Sequence, residues 1–302
     1  MRRMRGTFLV TTLLVLGLLL VACGNNAPND ETDAPAESGG PSGQLDIVGS
    51  DTMVNLGAAL AEAYMDLHAD VDLIVQGGGS GTGLAAMLNE NADIAQMSRA
   101  MSDDEWDEAE SLGIEVTEIE IAFDAIVVAV HPENPVNTLT LEELGAIYRG
   151  DITNWSEVGG ADAGIVLLSR DTTSGTHVFF REAIVREDGA KPDAEFDANA
   201  QFLPSTQAIA DETAQNPNAI GYIGLGYYDA DRLQVVGFKL DESDTPVSPI
   251  EDHPDGLAYP LSRPLYFYVA GEYTGLVKEY VDFVLSADGQ AVVREMDFLR
   301  LP

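Results

Sequence analysis

Three times in this 302-residue chain a β-rich run ends in Gly, Ser and Thr and passes straight into a helical pattern. The turns are Gly49-Ser50-Asp51-Thr52-Met53, Gly79-Ser80-Gly81-Thr82-Gly83 and Thr173-Ser174-Gly175-Thr176. A helix N-terminus leaves backbone N–H groups unpaired and carries partial positive charge, which suits it to an anion. Glycine lets the backbone come close to a ligand, and the hydroxyls add donors. Any one of these turns is also what plain N-capping produces. Three of one design point to a shared anion site.

Between the turns the pattern alternates short strands with amphipathic helices. Leu45–Gly49, Val71–Gln76 and Ile94–Met97 read as strands. Met53–Leu67 reads as a helix with Met53, Leu56, Leu60, Tyr64 and Leu67 on its apolar face, and a second helix runs through Leu88. Ser102-x-x-Glu105 and Thr140-x-x-Glu143 have the form of capping boxes. Ile121–Val130 and Leu265–Ala270 are the most strand-like runs, and two helices follow near the end, the clearer over Thr274–Leu285. No repeat is visible. The alternation predicts an α/β fold with at least one mostly parallel sheet.

The N-terminal stretch has a different character. Arg2, Arg3 and Arg5 precede an apolar run from Thr7 to Val21, which is short for a membrane span. It ends in Leu20-Val21-Ala22-Cys23, which resembles the lipobox of bacterial lipoproteins and implies cleavage before Cys23 and lipidation of its thiol. The single cysteine fits, since an exported chain with one thiol has no disulfide partner. Residues 1–22 are therefore expected to be a signal peptide. Residues 23–44, in which Ala is the only apolar type apart from Cys23, are expected to form a flexible tether. The body would then sit outside the cell membrane, anchored by Cys23.

Loss of residues 1–22 removes three of 15 bases and no acid, leaving 12 bases against 51 acids, a charge of −39. Such a surface excludes nucleic acid as a partner, since that needs basic patches. An anion can still be held by local dipoles and hydroxyls, because salt screens a distant acidic surface beyond about 8 Å. Two of the scarce bases lie beside Ser-containing turns, Arg99 after Ser98 and Arg170 after Ser169. A guanidinium matches an oxyanion in bidentate geometry. Each could equally pair with an acid, and Asp171 stands ready to orient Arg170 or cap a turn.

Enzyme readings find little support. Gly81-Thr82-Gly83-Leu84-Ala85-Ala86 matches G-x-G-x-x-A, with Asp103 and Asp104 about 20 residues on, but the pattern is short and degenerate. No Lys-Ser/Thr follows the glycines, which excludes a P-loop. Ser174 and His177 stand three apart at helical spacing, and His68, His131 and His253 show no metal-ligand spacing. No catalytic residue, cofactor or metal is expected.

The ordered motif set resembles the PstS-type phosphate-binding proteins. It comprises Gly49-Ser50-x-Thr52, the Gly77–Gly83 turn, Ala92-Asp93-Ile94 leading to Ser98-Arg99, Gly150-Asp151-Ile152-Thr153-Asn154-Trp155, and Arg170-Asp171-x-x-Ser174-Gly175-Thr176. The resemblance runs from about Leu45 to the C-terminus. It implies a two-lobed, type II periplasmic-binding fold that closes on inorganic phosphate in a cleft and delivers it, as a monomer, to the permease subunits of an ABC importer. It places ligand contacts on Thr52 with the Met53 amide, Ser80 with the Gly81 amide, and Arg170, with Ser174, Gly175 and Thr176 on the second lobe. Ser50 and Arg99 complete the candidate set. Lobe one would be 45–122 plus 264–302 and lobe two 123–263, with crossings near Phe123 and Arg263. Some relatives carry Asp where Arg99 stands, and that carboxylate accepts a proton from phosphate and so excludes sulfate. Asp51 is the substitute acceptor expected here. Sulfate, molybdate or tungstate as ligand, and a phosphate-sensing surface lipoprotein, are the alternatives.

Overall fold

The computed structural model describes residues 40–240, 245–249 and 259–301. The expected signal peptide (1–22), Cys23 and most of the expected tether lie outside the described residues. The first strand starts at Gly43, inside the segment read as tether.

Strand β1 (Gly43–Gly49) leads through a 3-10 turn (Asp51–Met53) into α1 (Val54–Leu67), β2 (Val71–Gln76) leads to α2 (Ser80–Leu88), and β3 (Ile94–Met97) to α3 (Asp103–Ser111). The long β4 (Val116–Val130) follows, then β5 (Thr138–Thr140) and α4 (Leu141–Arg149). Next come β6 (Val166–Arg170), α5 (Gly175–Phe180), β7 (Gln201–Leu203), α6 (Thr206–Gln215) and β8 (Ala219–Gly224). The chain ends with β9 (Gln234–Val235), β10 (Gly237–Lys239), β11 (Ser262–Ala270), α7 (Gly275–Leu285) and α8 (Ala287–Glu295).

The main sheet has the order β2-β1-β3-β11-β4-β8-β6-β7, with β9 also on β4, and β5 and β10 pair separately. It is mixed, where a mostly parallel sheet was expected. The helical crossovers make β1 parallel to β2 and β3, and β6 parallel to β7 and β8. These two parallel flanks are joined by β4 and β11, which run antiparallel to each other and to their outer neighbours. β4 is shared: residues 116–125 pair with β11, and residues 126–130 with β8. Its burial follows that change. Exposed and buried residues alternate around Glu118–Ile121, and from Ala125 to Val130 every residue is buried, as expected for a strand covered on both faces.

Among the described residues, buried apolar side chains gather into three clusters. One contains Ala125–Val130, Tyr148, Trp155, Phe180 and Tyr222. A second joins Ile47, Leu56, Leu60 and Tyr64 to Ile121, Phe267, Tyr280 and Val284. The third packs α2 and α3 against Tyr266 and Tyr268. Of the apolar stripe read from the sequence, Met53, Leu56, Leu60 and Tyr64 are buried in the second cluster, and Leu67, at the last position of α1, is 63% exposed. Both expected capping boxes form: Ser102 with Glu105, and Thr140 with Glu143. A third, Asn154 with Glu157, opens the 3-10 turn at Trp155.

Helix α2 lies so close to the end of β1 that a side chain at Gly83 would overlap the Val48 carbonyl, with its Cβ only 2.5 Å from the Gly49 Cα. No flexible group can give way there, because the obstacle is backbone. Gly83→Ala is therefore expected to destabilise the fold by about 1–3 kcal/mol through overpacking, measured as a lowered urea midpoint with unchanged m-value.

Candidate anion-binding site

The three Gly/Ser/Thr junctions meet. Ser50 follows β1 and is anchored by its N–H to the Gln96 carbonyl at 2.8 Å. Gly79, opening α2, donates its N–H to the Gly49 carbonyl at 2.9 Å, which holds the second junction against the first. Between them stands Ser98, at the end of β3. Its hydroxyl accepts from Ser50 Oγ at 2.8 Å and lies 3.4 Å from Ser80 Oγ, while its N–H donates to Ser80 Oγ at 3.1 Å.

The third junction comes from the end of β6, where Ser174 caps α5 by accepting the His177 N–H. It approaches the other two closely. Thr176 Oγ1 lies 2.6 Å from Thr52 Oγ1, and the Gly81 N–H donates to the Thr173 carbonyl at 3.1 Å. A Cβ on Gly175 would lie 2.7 Å from Ser98 Oγ. Ser50, Thr52, Ser80, Ser98, Ser174 and Thr176 are all buried, so six hydroxyls share one water-poor region.

Arg170 is buried at the edge of this cluster. Its Nη2 donates to Asp51 Oδ2 at 2.7 Å and to the Pro204 carbonyl at 3.1 Å, its Nη1 to Thr206 Oγ1 at 2.7 Å, and its Nε to the Leu203 carbonyl at 3.3 Å. A guanidinium has five N–H groups. Four hydrogen bonds leave one N–H, on Nη1, uncommitted. Behind Arg170 runs a buried polar chain: its N–H donates to the Tyr222 hydroxyl, which lies 2.7 Å from Ser169 Oγ, and that lies 3.3 Å from His177 Nδ1. Tyr222 stacks flat on Phe180 at 3.9 Å, and burial pushes its hydroxyl up to about 12, so it stays neutral.

The expected residues fall into groups. Ser50, Thr52, Ser80, Gly81, Arg170, Ser174, Gly175 and Thr176 are brought together, and Met53 is buried beside them. The two expected backbone donors have partners within the protein: the Met53 N–H on the Ser50 carbonyl and the Gly81 N–H on the Thr173 carbonyl. Asp51 is near, but both its oxygens are engaged, Oδ2 by Arg170 and Oδ1 by the Gly78 N–H at 3.3 Å. That makes it a positioning carboxylate for Arg170.

Arg99 points elsewhere. Its two terminal nitrogens hold both oxygens of Glu105 at 2.6 and 2.7 Å, and only its Nε lacks a partner. Burial works to raise the Glu105 carboxyl, but the Arg99 guanidinium and the Ser102 backbone outweigh it and hold it below the usual range.

Two charged residues in this region were missed in the sequence. Asp124 on β4 and Arg263 on β11 face each other in register and are almost fully buried. Arg263 Nη2 donates to Asp124 Oδ2 at 2.9 Å and to Thr176 Oγ1 at 2.8 Å. Burial raises the Asp124 carboxyl, against the pull of Arg263 and a weaker one from the backbone at Leu225 and Ala125. The signal was present, since Asp124 interrupts the apolar run Ile121–Val130, and an acid in such a run needs a buried partner. Ser98 was equally visible, although only its neighbour Arg99 was singled out for an ionic role.

Among the described residues no group of His, Cys, Asp and Glu is placed to hold a metal ion. The arrangement offers donors from hydroxyls and guanidinium groups, and the hydroxyl–imidazole contact of Ser169 with His177 is buried behind Arg170. Its chemistry is that of binding.

Residues 34–288 match the family model of the PBP superfamily domain. The chain is 31% identical over 283 residues to the phosphate-binding protein PstS of Pseudomonas aeruginosa strain PAO1, covering 88% of this chain and 85% of that one. It is 31% identical over 304 residues to PstS of Bacillus subtilis, covering 98% and 95%. Its structure is similar to that of a phosphate ABC-transporter substrate-binding protein from Clostridium perfringens solved with bound phosphate, with TM-score 0.75, 31% identity, and coverage of 86% and 100%.

His177 supplies a test of the buried chain behind Arg170. Burial first, and the Arg181 charge second, lower its pKa from the usual 6.5 to about 4. The unfolded chain therefore takes up this proton near 6.5 and the folded chain near 4. Between those values the unfolded state binds more protons, so stability rises with pH and is lost on acidification. Urea unfolding at pH 7 and pH 4.5 should show wild type losing about 2 kcal/mol more over this interval than His177→Gln.

Proposed function

The chain belongs to the PstS-type phosphate-binding proteins of the PBP superfamily, and from that premise we propose that it captures inorganic phosphate outside the cell membrane for an ABC importer. The observation that carries the reading is the convergence of three strand-to-helix junctions, with six buried hydroxyls and the buried Arg170. A tetrahedral oxyanion has acceptor oxygens on all sides, and such a donor-lined, water-poor enclosure suits it. The protein binds its ligand and returns it unchanged, so no reaction is assigned.

Thr52, Ser50 and Ser80 would hold the ion from one side, with Arg170, Ser174, Gly175 and Thr176 from the other, in a cleft between lobe one (45–122 plus 264–302) and lobe two (123–263). On entry, the ion would take over donors that the junctions now share, such as the Thr52 and Thr176 hydroxyls and the Gly81 N–H. Because it touches both lobes only when they are together, binding favours the closed form. Asp51 would aim the guanidinium of Arg170 and neutralise it until the ion arrives. Arg99 acts through its pair with Glu105, bracing the start of α3 beside Ser98. A lipidated Cys23 would keep the protein near the permease subunits of its importer.

The test is calorimetric titration of residues 40–302, stripped of bound ion, with phosphate, sulfate, molybdate and tungstate at fixed ionic strength. Tight phosphate binding with sulfate silent is expected. A charge-assisted hydrogen bond is worth about 1.5–3 kcal/mol, so Arg170→Ala should weaken phosphate binding by roughly 10- to 150-fold. A wild-type protein that binds no phosphate would overturn the reading, and one that takes only molybdate or tungstate would change the ligand.

A further inference from the structure

Asp124 and Arg263 form a buried pair with an asymmetry that structural duty alone does not account for. They are cross-strand partners on β4 and β11, exposed by 0% and 2%. An arginine–carboxylate pair is frequently bidentate, with two nitrogens and both oxygens in a fork. Here Nε and Nη2 of Arg263 both reach the same oxygen, Oδ2, at 3.3 and 2.9 Å. Arg263 Nη1 and Asp124 Oδ1 are buried and without a hydrogen-bond partner, the Leu225 and Ala125 backbone acting on the carboxylate without closing a hydrogen bond on Oδ1. A buried acceptor and a buried charged donor left idle are costly, and within one ion pair they point to a ligand that completes the set.

The pair borders the hydroxyl cluster. Arg263 Nη2 donates to Thr176 Oγ1, which is itself 2.6 Å from Thr52 Oγ1. A Cβ built on Gly224 would sit 3.1 Å from Asp124 Oδ1 and 2.7 Å from the Thr52 methyl carbon, so Oδ1 and the Thr52 side chain both lie against the same glycine. The cluster otherwise consists of hydroxyls and N–H groups that can donate. Oδ1 is an acceptor only.

That difference separates two anions of the same shape. Phosphate at neutral pH still carries a proton and can donate one hydrogen bond while accepting others. Sulfate carries none and would turn a bare oxygen toward a carboxylate oxygen.

We propose that Asp124 is the specificity-determining residue of the site: its Oδ1 accepts the P–OH hydrogen bond, and Arg263 Nη1 donates to a neighbouring phosphate oxygen. The proton stays on the ion. This assignment rests on the phosphate reading and goes beyond it, since it moves the acceptor role away from Asp51, whose two oxygens are occupied by Arg170 and the Gly78 N–H.

The test measures dissociation constants for phosphate, sulfate and monofluorophosphate, the last a tetrahedral dianion with no proton to donate. Wild type should reject both sulfate and monofluorophosphate. Asp124→Asn adds net positive charge, which strengthens both dianions alike, so the readout is the phosphate-to-sulfate affinity ratio and neither affinity alone. An amide can turn its N–H₂ toward sulfate, and the ratio is expected to fall at least a hundredfold. Asp51→Asn should weaken both anions and leave the ratio within threefold. If Asp124→Asn does not fold, Asp124→Asn/Arg263→Gln leaves no lone buried charge and is read the same way. A folded Asp124 variant with an unchanged ratio overturns the assignment. So does a collapsed ratio in Asp51→Asn, or monofluorophosphate binding to wild type as tightly as phosphate. Wild type that binds no phosphate at all removes the phosphate reading itself, an outcome distinct from these.

Discussion

Two guanidinium groups, Arg170 and Arg263, are buried where three strand-to-helix junctions meet, and a buried charge is tolerated only when it is paired and hydrogen-bonded. Each has one carboxylate, and each carboxylate comes from a distant part of the chain. Asp51 lies 119 residues before Arg170, and Asp124 lies 139 residues before Arg263. The first pair ties the junction after β1 to the end of β6. The second locks the register of β4 against β11. Neither arginine is replaceable by lysine on these contacts, because a compact ammonium cannot reach several fixed acceptors in one plane.

The pairing also resolves the tension between an anion ligand and a chain of formal charge −36. Each guanidinium is neutralised by its own carboxylate, so the site presents no large net charge before it fills. What remains is local: one N–H of Arg170, the idle nitrogen of Arg263, and the hydroxyls. These act at hydrogen-bond range, where the acids of the outer surface, screened by salt beyond about 8 Å, have little influence. An acidic exterior and an oxyanion interior are thus compatible, provided the donors are aimed by buried contacts and not by mobile surface lysines.

What could be read from the residues was what local hydrogen bonding and hydrophobic periodicity decide. β2 and β3 are bounded as expected because each is an apolar run closed by turn residues. The capping boxes at Ser102 and Thr140 formed because both partners lie within four residues. The start of α1 shifted by one residue, from Met53 to Val54, because the Met53 N–H closes a 3-10 turn on Ser50. The direction of β4 and β11 was not legible, since it depends on contacts across more than 100 residues, and with it went the mixed character of the sheet. The same non-locality hid the Asp124–Arg263 pair. Arg99 is a different case. Its partner Glu105 is only six residues away and had already been assigned to a capping box, but a carboxylate with two oxygens can close the box and hold an arginine at once.

The placement of β11 governs the order in which the molecule can be completed. It lies between β3 and β4, which do not touch each other in the sheet, and it comes from residues 262–270 of 302. Until that segment exists, β3 and β4 both present open edges, and the apolar face of Phe267 is missing from the cluster it shares with Leu56 and Leu60. The N-terminal half cannot finish its core while the chain is still being made or threaded through a membrane. A chain built in this way cannot close the sheet between β3 and β4 until residues 262–270 are available to pair with both.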